Sequence, residues 1–252
     1  MANLDIVIPV YNEGGNIIPV LASFHTHVKT PYRVLICYDF EEDDTLTAIA
    51  DYPLEKAEVL LVKNPGRGPN QAVVAGLEAS TAPAVMVHMA DDDFNAPIID
   101  SMMALLGDGC EIVSGSRFIK GGCYTGSVWY KTVLTRTASF TAYHFAGLPV
   151  HDATNGFRLF SRRVLNTIKI ESTDGFTFTF ELLVKADRLG WKAREVPALW
   201  YERTVGSSRF RVWDWFGSYL RWYRYVFATA WLRRGPESVP LRDGVTLQDA
   251  LG

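Results

Sequence analysis

The sequence predicts an α/β protein built on a central, largely parallel sheet flanked by helices. Three observations carry this. Short β-branched apolar runs alternate with helix-spaced segments along the chain. Polar or acidic residues recur at the C-terminal ends of those runs, where open parallel sheets place their ligands. A chain of 252 residues with 48% hydrophobic content can also bury a substantial core, as one large domain or two small ones.

Leu4 to Val10 is a β-branched run closed by Pro9 and reads as the first buried strand. Asn12 to Gly15 form a turn, and Asn16 to Val28 carry helical spacing. A second strand, Tyr32 to Tyr38, ends at Asp39 and meets the acidic loop Glu41-Glu42-Asp43-Asp44. The helix Thr45 to Asp51 follows, its N-terminus favouring that negative charge. Glu58 to Val62 is a third strand, and Asn64 to Asn70 a loop opening the helix Gln71 to Ser80. Ala84 to Ala90 is a fourth strand, running straight into Asp91-Asp92-Asp93-Phe94-Asn95-Ala96-Pro97.

Beyond it, Glu111 to Ser116 reads as a strand, followed by a mobile segment carrying Gly121, Gly122 and Gly126 and a helix over Ser127 to Ala146. A polar turn, His151 to Gly156, precedes the strand Arg158 to Phe160. Phe176 to Leu189 is a helix ended by Gly190, and Trp191 to Trp200 a strand interrupted at Pro197. The expected organisation is a globular domain over 1–210, divided into halves 1–97 and 98–210, then a helix within 211–234 and a flexible tail over 235–252.

In that last helix Trp213, Phe216, Leu220, Tyr223, Phe227 and Trp231 recur at spacings of three and four, forming one apolar stripe. Arg221 and Arg224 lie off the stripe, and Arg209, Arg211, Arg233 and Arg234 flank it. Such a helix suits a membrane interface; it equally suits packing on the domain core or on a partner helix.

Net charge is −3, unevenly distributed. Asp39 to Glu111 holds 15 Asp/Glu against 3 Lys/Arg, whereas Lys185 to Arg234 holds 11 Lys/Arg against 4 Asp/Glu. This asymmetry fits a cation held at one end and anions or a membrane surface met at the other; solvated faces explain some such asymmetries equally. Cys37, Cys110 and Cys123 have no metal-ligand spacing and cannot all pair, so a reducing cytosol is expected. The sequence shows no signal peptide and no uninterrupted apolar run of the length (about 18 residues) that would mark a membrane span. No dinucleotide fingerprint or Walker motif occurs, and Gly66-Arg67-Gly68 alone is a weak signal. No nucleic-acid partner is expected, and the sequence sets no oligomeric state.

Three adjacent carboxylates at a strand end repel one another and lose solvation if partly buried, so a cation is the natural compensation. All-oxygen ligands suit a hard ion such as Mg²⁺ or Mn²⁺. Taken alone, the triplet reads equally as an acidic loop capping the helix that starts near Pro97.

Ile8-Pro9-Val10-Tyr11-Asn12-Glu13, Asp39, Gly66 to Gly68 and Asp91-Asp92-Asp93-Phe94-Asn95 together resemble the nucleotide-sugar half of a family 2 glycosyltransferase with the GT-A fold, a Rossmann-like sheet. Gly115-Ser116-Arg117, Asp152-Ala153-Thr154-Asn155-Gly156-Phe157-Arg158, Gly175 to Glu181, Glu195-Val196-Pro197 and Glu202-Arg203…Gly206-Ser207-Ser208-Arg209 resemble the dolichol- and polyprenyl-phosphate mannosyltransferases and their glucosyl counterparts.

The resemblance implies an inverting, metal-dependent transfer of mannose or glucose from a nucleoside-diphosphate sugar to a polyprenyl phosphate, at the cytoplasmic face of a membrane met through 211–234. It implies Asp91, Asp93 and Asn95 around Mg²⁺ or Mn²⁺, with Asn95 where the family typically has Gln. It implies Asp92 facing the donor, Glu13 and Asp39 on the nucleoside, and Pro9 and Tyr11 shaping that pocket. Asp93, Arg117 and Asp152 become the catalytic candidates. Arg117, Lys131, Arg136, Arg203 and Arg209 become the acceptor- and diphosphate-binding ones, with Arg209 where the family commonly has Lys.

A phosphate monoester ionises a second time near pH 6, so such an acceptor needs cationic positioning and no general base. Asp152 orients the sugar or the arginines in this reading, or serves as an ordinary turn cap. His88, His144 and His151 read as structural. Two alternatives stand beside it: transfer to a glycan hydroxyl, with Asp152 or Glu181 as base, and a non-catalytic nucleotide-sugar-binding membrane scaffold.

Overall fold

The computed structural model describes residues 2–50, 52, 58–126, 128–201 and 212–252, the side chains of 212–214 excepted. Nine strands are formed among these residues: β1 (Leu4–Pro9), β2 (Tyr32–Tyr38), β3 (Glu58–Lys63), β4 (Ala84–Val87), β5 (Ile112–Ser116), β6 (Cys123–Thr125), β7 (Arg158–Ser161), β8 (Ala193–Pro197) and β9 (Leu199–Tyr201). The helices are α1 (Gly14–His27), α2 (Asp44–Ala50), α3 (Pro69–Ala79), α4 (Ile99–Gly107), α5 (Trp129–Ala146), α6 (Arg162–Thr167), α7 (Thr177–Arg188), α8 (Val212–Trp231) and α9 (Leu247–Leu251).

Seven strands form one sheet in the order β3-β2-β1-β4-β7-β5-β8, parallel except for β7, and β6 pairs β9 in a separate two-stranded ribbon. Alternation along β1 shows why the sheet is buried on both faces. Ile6 and Ile8 join Ile17, Val20 and Phe24 of α1 and Ile99 and Met102 of α4, whereas Val7 joins Val73 and Leu77 of α3 and Phe178 of α7. Gly76 lets α3 approach closely, since a Cβ there would stand 2.5 Å from both the Val7 and Cys37 side chains.

The fourth strand is shorter than its apolar run. Sheet pairing stops at Val87, and His88 donates its backbone N–H to Val7 O (3.0 Å) before the chain turns away. The Gly-rich segment expected to be mobile contains β6, whose Cys123 pairs Leu199.

The tail also departs from expectation. Ile168 bridges Leu241, Val239 and Ala250 are buried, and Arg163 and Trp191 both donate to the Ala250 carbonyl at 2.9 Å. Thr246 and Asp249 form a reciprocal capping box on α9. Residues 235–252 are therefore folded against α6 and α7.

Helix α8 packs on the domain through a face offset from the expected stripe. Trp222 and Val226 are its fully buried residues, Trp222 donates to Ser172 Oγ (2.8 Å), and Ser218 donates to Asp174 Oδ2 (2.5 Å). The Trp215 ring covers Gly175, which sits at φ +51°. Of the stripe, Tyr223 and Phe227 are half-buried against the core, Tyr223 meeting Thr141 of α5 at 2.7 Å, and Phe216 and Trp231 are exposed. The side chain of Trp213 lies outside the described residues. Core packing thus takes most of this helix.

Candidate active site

Parallel registry brings the C-terminal ends of β1, β2, β4 and β5 to one edge of the sheet, and β7, running the other way, starts there. Arg158, its first residue, pairs both Val87 and Ser114. The loops at 11–13, 39–44, 91–95, 115–117 and 152–157 therefore share one side of the molecule.

On the donor side, the acidic loop caps the first helix. Asp43 Oδ1 accepts from the Asn12 N–H (3.1 Å), Asp44 Oδ1 from the Gly14 N–H (2.8 Å), and Thr45 Oγ1 from the Glu13 N–H (2.9 Å). Asn12 holds the turn at φ 53°. Glu13 is buried and accepts from Asn16 Nδ2 (2.7 Å). Asp39 accepts from Asn64 Nδ2 (2.6 Å) and from the Gly68 N–H (2.9 Å), which fixes the 64–68 loop against β2. Pro9 is half-buried, and Tyr11 stands half-exposed, its ring edge-on to Phe40 at 5.2 Å.

The three aspartates separate sharply. Asp92 turns inward, 7% exposed, and its oxygens accept from the backbone N–H (3.0 Å) and Nδ2 (2.7 Å) of Asn95. Burial holds its carboxyl above the usual range, although His88 and Asn95 oppose the shift. The Asp92 carboxylate, expected to face the donor, is thus engaged by Asn95. Asn95, expected at the metal, is engaged as well. It is buried, its Oδ1 accepts from the Leu199 N–H (2.9 Å), and its Nδ2 also donates to Leu199 O (2.8 Å). Both heteroatoms of the amide are thus engaged in packing the loop, the oxygen with one of its two lone pairs. Asp91 is half-buried; Asp93 is exposed, and its carboxylate takes no hydrogen bond or ion pair from any described residue.

The acceptor side is built around a buried arginine pair. Arg117, 8% exposed, donates Nε and an Nη to the two oxygens of Asp152 at 2.6 and 2.8 Å. Its backbone N–H adds a third bond to Asp152 (3.0 Å), and an Nη reaches Thr154 Oγ1 (2.9 Å). Burial opposes both charges. The fork pairing more than offsets this, holding the Asp152 carboxyl below its usual range and the Arg117 guanidinium above its own. The guanidinium lies over Tyr124 (4.6 Å) and Phe118 (5.2 Å), and Arg136, exposed on α5, lies over the same Phe118 (5.3 Å). Lys131, earlier on α5, is half-buried. Arg203 and Arg209 lie outside the described residues.

The sequence reading gave no role to Arg158. Fully buried, it donates to Ser114 Oγ (2.8 Å) and to the carbonyls of Thr179 (2.5 Å) and Ala153 (3.2 Å); burial pulls its guanidinium down to about 10. It braces the 152–155 loop from below. A charged residue opening an apolar strand was the available signal. Tyr124 was missed too, because it lies in a segment read as mobile.

Glu181, one carboxylate assignable as a base, is fully buried against Lys185 (2.6 Å) and accepts the backbone N–H groups of Glu171 (2.6 Å) and Ser172 (2.8 Å). Asp152, the other, is saturated by Arg117. His88 is buried between Phe24 and Phe157, and His151 bonds Glu195 and stacks on Tyr143 (3.8 Å), both structural placements.

A mostly parallel sheet with polar strand ends gathered on one edge defines an α/β protein with a ligand site beyond the carboxyl ends of its strands. The sequence comparison fixes the family: residues 5–169 match glycosyl transferase family 2, and the chain belongs to it. Polyprenol monophosphomannose synthase from Mycolicibacterium smegmatis is 28% identical over 211 residues, 81% of this chain and 79% of that protein. Dolichyl-phosphate hexose transferase from Haloferax volcanii is 29% identical over 207 residues, 80% of this chain and 84% of that protein. Glucosyl-3-phosphoglycerate synthase from Mycobacterium tuberculosis, crystallised with Mn²⁺, UDP and glucosyl-3-phosphoglycerate, shares the fold at a TM-score of 0.63 and 20% identity, over 91% of this chain and 80% of its own. The GT-A fold is thereby established.

Proposed function

We propose that this glycosyltransferase moves a hexose, with inversion, from a nucleoside-diphosphate sugar to a polyprenyl phosphate. The observation that carries the reading is the acceptor-side centre. Both carboxylates assignable as a general base are held in ion pairs, while cationic groups cluster at Arg117 and Arg136. A sugar hydroxyl would need a base; a phosphate dianion is already nucleophilic and needs placing. The names of the two relatives point the same way, and transfer to a glycan hydroxyl loses its base.

Asp91 and Asp93 fit a hard divalent ion. Two carboxylates, one of them unengaged, leave coordination positions for diphosphate oxygens and water, the usual arrangement for Mg²⁺ at phosphate sites. Among the described residues no group of three or more His, Cys, Asp or Glu could hold a metal ion. When bound, such an ion stabilises the departing diphosphate. Glu13 and Asp39 lie where the nucleoside would bind, with Tyr11 and Phe40 as its apolar wall. Asp152 holds the Arg117 guanidinium in one orientation, and that guanidinium, with Arg136 and Lys131, places the acceptor phosphate in line with the anomeric carbon. Arg203 and Arg209 complete the set in this proposal.

Membrane contact, expected on 211–234, is better served by α5. Trp129, Tyr130, Val133, Phe140 and Phe145 are exposed on it, and Trp231 at the end of α8 donates to the Phe145 carbonyl (2.8 Å), extending the patch to Leu232. No acidic residue occurs between Glu111 and Asp152 or between Asp214 and Glu237, and Arg136, Arg233 and Arg234 are exposed on these segments. Exposed aromatic groups on segments whose charged residues are all cationic suit an anionic bilayer surface. No helix among the described residues is long and apolar enough to cross a membrane. Three free cysteines support a cytoplasmic leaflet for this surface.

The test is a donor screen: radiolabelled GDP-mannose and UDP-glucose offered with a polyprenyl phosphate, Mg²⁺ or Mn²⁺, and detergent. One donor should give an organic-extractable product; none from either would reject the reading.

A further inference from the structure

We infer that Asn95 is a positioning residue, a latch that fixes the donor-side aspartate loop to the ribbon carrying the acceptor-side aromatics. The inference rests on the proposed reaction for its purpose, though not for its geometry. Three bonds define the latch. Oδ1 accepts from the Leu199 N–H (2.9 Å), Nδ2 donates to the Leu199 carbonyl (2.8 Å), and Nδ2 donates again to Asp92 Oδ2 (2.7 Å). A single side chain thus pairs both backbone groups of one residue 104 positions away and orders the middle aspartate of its own loop. The amide is 3% exposed, so these bonds form in a weakly screened setting where leaving any partner unmade is costly.

The connection continues on both sides. Phe94 meets Tyr201 edge-on at 5.0 Å, so two consecutive residues of the loop grip the two ends of β9. Leu199 pairs Cys123 in β6, and the next β6 residue, Tyr124, lies over the Arg117 guanidinium and packs on Trp200 at 4.8 Å. A continuous packed path therefore runs from Asp91–Asp93 through Asn95 and the β6–β9 ribbon to the Arg117–Asp152 pair. Its effect is to set the spacing between the leaving diphosphate and the incoming phosphate, a distance on which in-line transfer depends steeply. The Asn95 oxygen spends one of its two lone pairs on the Leu199 N–H, so a cation that drew this oxygen away would expose the Leu199 amide, and that is measurable.

Hydrogen exchange at the Leu199 amide reads the latch directly. In the wild-type protein, adding Mn²⁺ alone should leave Leu199 protection unchanged or raised. Exchange faster by about tenfold on Mn²⁺ addition would show the amide released onto the ion, overturning the proposal. In metal-free Asn95→Ala, Leu199 exchange should rise by about tenfold, the order expected for losing its hydrogen-bond partner. Mn²⁺ affinity in that variant should stay within about threefold of wild type, whereas Asp93→Ala should lose tenfold or more, roughly the cost of one ligand in a small set. A loss in Asn95→Ala comparable with that in Asp93→Ala overturns the proposal whatever Leu199 does. Positioning also requires kcat to fall by about tenfold with donor KM nearly unchanged; an unaltered kcat overturns it. The exchange and Mn²⁺ measurements use no acceptor. An error in the acceptor assignment would therefore leave them intact and show only in the donor screen.

Discussion

The donor-side loop and the acceptor-side centre handle charge in opposite ways. Asp93 stands exposed with its carboxylate unengaged, beside a half-buried Asp91, whereas Arg117 and Asp152 are buried and pair fork to fork. The first arrangement leaves negative charge for something that arrives with the substrate. The second is complete before any substrate binds, and its guanidinium is aimed by its partner. The difference teaches that equally polar side chains at neighbouring strand ends can serve different quantities: in the proposed reaction Asp93 serves turnover, while Asp152 is built into the fold and orients Arg117.

The largest expected effect follows from breaking the donor side. Asp93→Ala should lower turnover by about a thousandfold, the scale of removing a metal's contribution to leaving-group stabilisation. Its unfolding free energy should change by no more than about 0.5 kcal/mol, as for other exposed positions. Urea unfolding with parallel initial rates checks both; a large stability loss would erase the contrast. Asp152→Ala should do the reverse first, destabilising the fold by about 3–5 kcal/mol because Arg117 is left buried without its counter-charge. Chemical denaturation measures this, and a change under 1 kcal/mol (roughly that of an exposed pair) would make the centre a surface ion pair in energetic terms.

A smaller effect sharpens where the membrane lies relative to the two sides. Replacing Trp129, Val133 and Phe140 together by Ser should weaken binding to anionic liposomes by about tenfold or more, since each removes exposed apolar area available to the bilayer. The Phe216/Leu220 double Ser variant should bind nearly as wild type; the opposite ranking in flotation would return the contact to α8.

The smallest is a pH effect. Arg117 holds Asp152 below its ordinary value near 3.8, so the unfolded chain takes up this proton first as pH falls. The stability advantage of wild type over Asp152→Asn should be constant from neutral pH to about 5, then shrink as pH falls through and below the ordinary carboxylate value. An advantage that grew toward acid would contradict the pairing.

Much of this was legible in the sequence, for identifiable reasons. The strands β1, β2, β4 and β5 announce themselves as apolar β-branched runs, and the polar residues after them fall beyond one sheet edge because parallel strands point one way. Asp39, the aspartate triplet and Arg117 could be found on that ground. What stayed hidden depends on partners distant in sequence. Nothing in Asn95 itself shows that Leu199 will occupy its amide, and three-residue strands such as β6 and β9 carry too few side chains to display a period. In α8 aromatic residues occur all around the helix, so spacing could not single out the Trp222–Val226 face. The tail is anchored by isolated apolar residues, Val239 and Ala250, and by one carbonyl that receives Arg163 and Trp191.

The central claim is that the acceptor nucleophile is a phosphate held by cationic groups, with no protein base. The most direct measurement offers one donor in parallel with a polyprenyl phosphate and with the corresponding free polyprenol, under the same metal and detergent. Transfer to the phosphate alone, with a rate that follows ionisation of the acceptor near pH 6, is the predicted result. Transfer to the free alcohol at a comparable rate would require a base among these residues and would contradict the account.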